Sequence, residues 1–313
     1  MDLFLNLLIV GLATGGIYAL IAIGYTMVYG IIELINFAHG DIFMVGTFVV
    51  ITVMTSLGLT LDNPPKTITF TLIAELVLAC LVAMLVCAVL GVVIERVAYR
   101  PLRNAPRLAP LISAIGVSLV LEDSAKIWKG NADLAFTPIP LGSFQVGAFT
   151  IEFVNLFVIV VALFLMLTLH LLITRTRIGR AMRAVAQDRD AAALMGVNVD
   201  RIIMVTFFIG AALAGAAAFV YALKFPNTNF TVGYQLGLIA FTCAVLGGIG
   251  NIVGAMVGGL LIGIIGALVS LIPPAVLPHG GDAWGRAIIF AILILILVFR
   301  PSGLLGQQTP EKV

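Results

Sequence analysis

Charge is what this sequence has least of: aspartate, glutamate, lysine and arginine together supply 10% of its 313 residues, against 61% hydrophobic. With a mean hydropathy of +1.18, there is too little polar surface to clothe a water-soluble globule, so the chain belongs in a bilayer. Histidine and cysteine are scarce as well, three of each. The cysteines, Cys80, Cys87 and Cys243, fall inside apolar runs, where a thiol is a small hydrophobe and no disulfide framework is expected. Scattered histidines with no Cys/His cluster exclude a metal centre. No GxxxxGKS/T phosphate loop is present, so the chain does not bind and hydrolyse ATP in the P-loop manner. No HExxH helix or Gly-x-Ser-x-Gly elbow points to hydrolytic chemistry, and no basic patch interleaved with aromatics points to nucleic acid. A positive secretory leader is missing too, and the first apolar run continues to about Tyr29, so it is expected to be a true span.

What the chain has is apolar length. A helix needs ~20 mostly apolar residues to cross a bilayer. Runs of that kind lie at about 4–30, 42–60, 68–94, 108–127, 152–173, 202–223, 236–249, 252–272 and 286–299. In lipid each span must satisfy its own backbone, so the expectation is an all-α polytopic bundle of about 8–9 transmembrane helices. It is expected to form one domain over 1–313, with no loop long enough for a second. Arginines crowd the segments 95–107 (Arg96, Arg100, Arg103, Arg107) and 174–201, and Arg300 and Lys312 fall on the same side by span counting. That side holds twelve of the seventeen basic residues and should be cytoplasmic, with the C-terminus; Lys66, Lys126, Lys129, Lys224 and Arg286 face the other way.

Two interruptions stand out. "NFAHGD" places Asn36, His39, Gly40 and Asp41 between apolar runs, and "LGGIGN" places Gly250 and Asn251 ahead of another. Polar and glycine-rich backbone at membrane depth is tolerated only where it is buried in protein or lines a watery cavity. Broken or re-entrant segments are therefore expected near 36–41 and 247–251. In the first, Asn36 and His39 would end one helical piece, Gly40 would supply the permissive backbone, and Asp41 would cap the next. Helix ends of this kind can meet a polar or zwitterionic solute, which makes Asn36, His39, Gly40, Asp41, Gly250 and Asn251 candidates for a pathway or gate. An ordinary turn with an aspartate cap fits the first stretch equally well. "HGDIFMVG" at 39–46 and "IGNIVGAMVG" at 249–258 also share a faint echo that suggests an internal repeat.

Gly250, Gly254 and Gly258 recur every fourth residue, and Gly259 and Gly263 repeat the spacing one position on, lining adjacent ridges for close helix packing. Glu75 and His170 read as isolated interhelical polar groups. Glu122, Asp123 and Lys126 read as a snorkelling helix end. In the segment 175–202, "DRDAAALMG" predicts a short helix capped by Asp188 and ended by Gly196 in a left-handed conformation. Its apolar side, with Leu194, suits either a grip for a soluble motor subunit or a helix lying on anionic lipid.

The runs "YALIAIGYTMVYGIIELINFAHGDIFMVG", "IERVAYRPLR", "LISAIGVSL", "RIGRAMRA" with "MGVNVDRI", "AVLGGIGNIVGAMVGG" and "RPSGLLG", in that order, resemble the membrane permease subunit of branched-chain amino acid ABC importers, the LivH type. The resemblance implies a bacterial inner-membrane protein working with a second permease subunit, identical or distinct, two cytoplasmic ATP-binding subunits and a periplasmic amino acid-binding protein. It also implies no cofactor on this chain, with ATP and magnesium held by the partners. It places the coupling segment on Arg180, Arg183, Asp188, Asp190, Ala192, Leu194 and Gly196, favouring the motor grip over the lipid-surface helix. Related permeases carry urea, short amides or other amino acids. An ion-coupled secondary transporter, with Asp41 and Glu75 as its weak candidate carboxylates, stays open beside these.

Overall fold

The computed structural model describes residues 2–103, 105–106, 108–146 and 149–306; Arg107 and Lys312 lie outside them. The predicted spans are helices. They are α1 (Asp2–Ile32), α2 (His39–Ser56), α3 (Phe70–Ile94), α4 (Leu108–Lys129), α5 (Phe153–Arg175), α8 (Val199–Lys224), α9 (Val232–Gly247), α10 (Ile252–Val269) and α11 (Gly280–Phe299), with the short α6 (Arg177–Gln187) and α7 (Arg189–Leu194) between α5 and α8. Seven are long and apolar enough to cross a membrane, and two shorter apolar helices cover 232–247 and 283–299. Sheet among the described residues is limited to the pairs β1 (Leu134–Ala135) with β4 (Asn227–Thr228), and β2 (Ser143–Val146) with β3 (Phe149–Glu152). The chain is thus an all-α, multi-pass membrane protein.

Burial separates inner helices from outer ones. α1, α2 and α8 are about two-thirds buried within the bundle, whereas α4 and α5 present most of their surface outward. An outer face of Leu, Ile, Val and Phe is what a lipid solvent permits, so exposed Ile112, Val120, Val160 and Phe164 need no protein partner.

The core depends on small residues at helix crossings. α10 runs antiparallel to α1, and Gly259 and Gly263 pack on the backbones of Ala19 and Gly15. Gly254 and Gly258, one ridge round, meet Gly247 and the Cys243 carbonyl of α9. At all four positions a Cβ would overlap backbone atoms, so the ridges are contact surfaces that let helix axes approach closely. Gly259→Leu is expected to cost about 1–3 kcal/mol by overpacking, lowering the unfolding midpoint in detergent. Gly266→Leu, where an added Cβ meets nothing within 4 Å, should leave that midpoint unchanged.

The arginine-rich segments gather at one end of the bundle. Arg100 bonds Asp200 at 2.7 Å, Arg103 pairs with both Glu95 and Asp200, and the C-terminal residues 303–306 pack on the α9–α10 junction. A π-turn, Glu95–Tyr99, and a 3-10 turn, Arg100–Leu102, shape the region after α3. The opposite end is tied by Thr47–Thr228 at 2.9 Å, Thr137 to the Leu59 carbonyl at 3.0 Å, and Asn229–Asp133 at 2.9 Å.

Both interruptions exist, and the first differs from its expected form. α1 ends at Ile32, and the residue in left-handed conformation is Glu33, with φ 55, while Gly40 lies inside α2. His39 opens α2 instead of ending α1, and Asp41 is in its first turn, the N-cap being Ala38 with no side-chain cap. The break therefore spans 33–38. Gly40 is needed for a different reason: a Cβ there would overlap the Gly233 carbonyl of α9. The second break falls at 248–251, with Gly248 at φ 108 and Gly250 at φ 91. The echo between 39–46 and 249–258 does not extend to backbone, since Gly40 is helical and Gly250 is left-handed.

Candidate functional site

α2 starts inside the bundle. The His39 ring lies against Gly24, about two turns before the end of α1, and meets Tyr25 edge-on with ring centroids 4.8 Å apart. Its place exists because residue 24 has no side chain: a Cβ there would occupy the imidazole. Gly40 and Asp41 are pressed on α9 through Gly233 and Gly237, and the Tyr25 hydroxyl lies beside Gly237.

The polar groups gathered here are almost fully buried, with Thr26, His39 and Asp41 at 1% exposure and Asn36 at 2%. Asp41 Oδ2 accepts a hydrogen bond from Ser118 of α4, and Asn36 Oδ1 accepts one from Tyr99 at 3.1 Å. Among the described residues, Asn36 Nδ2, His39 Nε2, Asp41 Oδ1 and Thr26 Oγ1 have no hydrogen-bond partner. Buried groups of this kind are ordinarily paired, because an unpaired one costs about 1–3 kcal/mol. Several together at a helix break make this the candidate site. They offer both donors and acceptors to a polar ligand.

Aromatic and charged neighbours extend the site in two directions. Phe241 of α9 is 6.4 Å from Tyr25 and 6.2 Å from Phe37 by ring centroids, making an apolar flank. On α4, Ser118, Glu122 and Lys126 recur every fourth residue and so share one face. Lys126 pairs with Glu122 at 3.1 Å and with Asp123 at 3.0 Å, and its ammonium sits 4.7 Å from the Phe230 ring centroid. The expected snorkelling end is thus an ion-paired one, leading from Asp41 to the end of the bundle opposite the arginines.

Gly250 and Asn251 lie apart from this cluster. Gly250 faces Gly30, about 9 Å along α1 from Gly24. Asn251 caps α10 by accepting from Gly254 N at 3.1 Å, and its Nδ2 donates to the Leu305 carbonyl at 2.7 Å. Leu304 N and Leu305 N bond the carbonyls of Leu246 and Gly247 at 2.8 and 2.9 Å, so the C-terminal segment straps the second break. The structure therefore brings Asn36, His39, Gly40 and Asp41 together and gives Gly250 and Asn251 a separate setting. Glu75 and His170 are half-buried on α3 and α5.

At the arginine-rich end, α6 is amphipathic, burying Met182 and Val185 and exposing Arg180 and Arg183. It is held close to α5 because Gly179 packs on the Ile173 carbonyl, which also accepts from Arg183. Asp188 accepts from the amides of Asp190 and Ala191 at 2.9 and 3.0 Å, starting α7. Gly196, with φ 83, follows its end. Ala192 faces inward, Asp190 is exposed, and Leu194 and Met195 stand out at 89% and 85% exposure. Arg189 Nη2 donates to the Ile31 carbonyl of α1 at 2.8 Å. A cavity of about 420 Å³ lies alongside, lined by Ile31, Glu33, Arg103, Gln187, Arg189 and Asp190 among others.

Sequence reasoning did not select Ser118, Tyr99, Tyr25, Gly24, Gly233 or Arg189. The Ser118, Glu122, Lys126 spacing was the one available signal; the rest depend on contacts between distant helices.

Among the described residues no group of His, Cys, Asp and Glu is placed to hold a metal ion. The family model described as branched-chain amino acid transport system / permease component matches residues 7–297. The chain is 42% identical to the high-affinity branched-chain amino acid transport system permease protein BraD of Pseudomonas aeruginosa, over 99% of this chain and 98% of that one. It is 40% identical to the permease protein LivH of the corresponding system of Escherichia coli, over 99% and 98%. Identity falls to 28%, over 92% and 88%, with a probable branched-chain amino acid transport permease of Methanocaldococcus jannaschii. A match that spans nearly every helix of the bundle, both breaks and the α6–α7 segment places this chain in the family of branched-chain amino acid transport permease components.

Proposed function

We propose that the chain is the permease subunit of an ABC importer that moves branched-chain amino acids across the bacterial inner membrane, with its arginine-rich end and C-terminus in the cytoplasm. The observation that carries this reading is the exposed apolar pair Leu194 and Met195, on a capped helix at the arginine-rich end. Apolar side chains standing free among arginines suit a pocket on a soluble subunit. With no phosphate loop of its own, the bundle takes its energy from two cytoplasmic ATP-binding subunits, which hold the nucleotide and magnesium. A second permease subunit and a periplasmic binding protein complete the importer. ATP binding draws the motor subunits together, α7 moves with them, and the bundle passes from inward-facing to outward-facing; hydrolysis resets it. That cycle requires motor contacts that differ between the two states, since equal contacts shift nothing.

Solute contact is assigned to the α1–α2 break. Asn36, His39, Gly40 and Asp41 offer dipoles and unpaired polar atoms to the ammonium and carboxylate, beside an aromatic flank suited to an aliphatic side chain. Gly250 and Asn251 hold the second break near the inner gate. The solute is tested with the complete complex in vesicles: leucine uptake that depends on ATP and is displaced by isoleucine and valine supports the reading. Uptake displaced instead by urea or short amides refutes the substrate, and uptake abolished by gradient collapse while ATP remains refutes the mechanism.

A further inference from the structure

Two arginines of the α6–α7 segment donate to the ends of membrane helices. Arg183 bonds the Ile173 carbonyl in the last turn of α5, and Arg189 bonds the Ile31 carbonyl in the last turn of α1 at 2.8 Å. The final carbonyls of a helix have no partner within it and carry the negative end of its dipole, so a guanidinium satisfies both needs. α1 cannot meet the need by continuing, because Glu33 turns the chain into left-handed backbone.

The two attachments differ in their surroundings. Near Arg183, α6 and α5 are already in backbone contact through Gly179, and the hydrogen bond reinforces packing. Beside Arg189, the α1 end and the start of α7 face each other across the cavity of about 420 Å³. There the guanidinium spans a gap that side-chain packing does not fill. Beyond Ile31 the chain leads through the break directly to Asn36 and His39.

We infer that Arg189 is a positioning residue for transport, a tether that makes the end of α1 and the α1–α2 break follow α7. This rests on the reading of the chain as an ABC permease, and it adds how a movement of α7 reaches the polar cluster. Arg189 touches neither solute nor nucleotide; it acts through the Ile31 carbonyl. Without the tether, α7 can move and leave the break behind, so that ATP is hydrolysed without transport.

The test uses the complete importer in vesicles and reads solute imported per ATP hydrolysed. For Arg189→Ala that ratio is expected to fall about tenfold, the scale set by one charged hydrogen bond acting as a coupling energy. Arg189→Lys, which keeps a donor and a charge, should recover most of it. An unchanged ratio in the alanine variant, or equal losses in both, overturns the tether. Should the variants fail to assemble, spin labels on Glu33 and Asp190 of the otherwise unaltered chain give a second reading. Their separation should be the same in nucleotide-free and ATP-trapped complexes, and a change between the two overturns the inference. A wild-type complex that couples no ATP hydrolysis to uptake would instead refute the permease reading itself, which separates the two failures.

Discussion

Leu194→Asp is expected to leave the chain folded and in the membrane while removing the stimulation of ATP hydrolysis by loaded binding protein. The side chain is 89% exposed, so a carboxylate there meets water and disturbs no packing. In the assembled importer the same carboxylate would enter an apolar pocket on the motor subunit. An apolar anchor at such an interface is worth about 2 kcal/mol or more, or roughly thirtyfold in affinity. Co-purification of the ATP-binding subunits and binding-protein-stimulated hydrolysis check this together. Normal values of both would mean that α7 does not engage the motor through this surface. Leu194→Met keeps an apolar side chain and should retain both.

The second large effect is expected at Asp41. Asp41→Ala removes the acceptor for Ser118, separating α2 from α4 at that level, and takes a carboxylate out of the buried cluster. Uptake should fall at least about tenfold, in line with a lost charged hydrogen bond in a site that binds or gates a polar solute. Assembly should survive, because α2 remains packed on α3, α8 and α9. Asp41→Asn separates chemistry from scaffold, since the amide keeps the shape and can still accept from Ser118. Loss of uptake in both variants, measured against unchanged membrane levels, assigns the carboxylate a part in transport. Full uptake by the asparagine variant would reduce Asp41 to a link between α2 and α4.

These predictions draw unequally on sequence. The spans were legible because a 30 Å apolar slab demands length and apolarity, and α7 was legible because an aspartate cap and a terminal glycine are local signals. The first break was found near its place, but the residues assigned to turn it were not the ones that do. Glycine is the usual residue at a left-handed turn, so Gly40 drew the assignment, yet Glu33 adopts that conformation. Gly40 is small for the sake of α9, a partner nearly two hundred positions away.

The same limit hid the rest of the cluster. Ser118 looks like any small polar residue in a span until Asp41 is found beside it, and Gly24 looks like helix packing until the His39 ring fills its place. Arg189 is one arginine in a basic segment, and its acceptor is a backbone carbonyl 158 positions earlier, which no side-chain pattern encodes. Asn251 illustrates the opposite case. Its position before an apolar run marks a break, and its bonds to Gly254 and Leu305 cap α10 and hold the C-terminal segment there.

Whether this bundle is driven from outside itself is decided by reconstituting the purified chain in vesicles, first alone and then with the second permease, the ATP-binding subunits and the binding protein, and following labelled leucine. No accumulation by the chain alone, with or without proton and sodium gradients, and ATP-dependent accumulation by the full set is the predicted result. Accumulation of leucine against its gradient by the chain alone would contradict it.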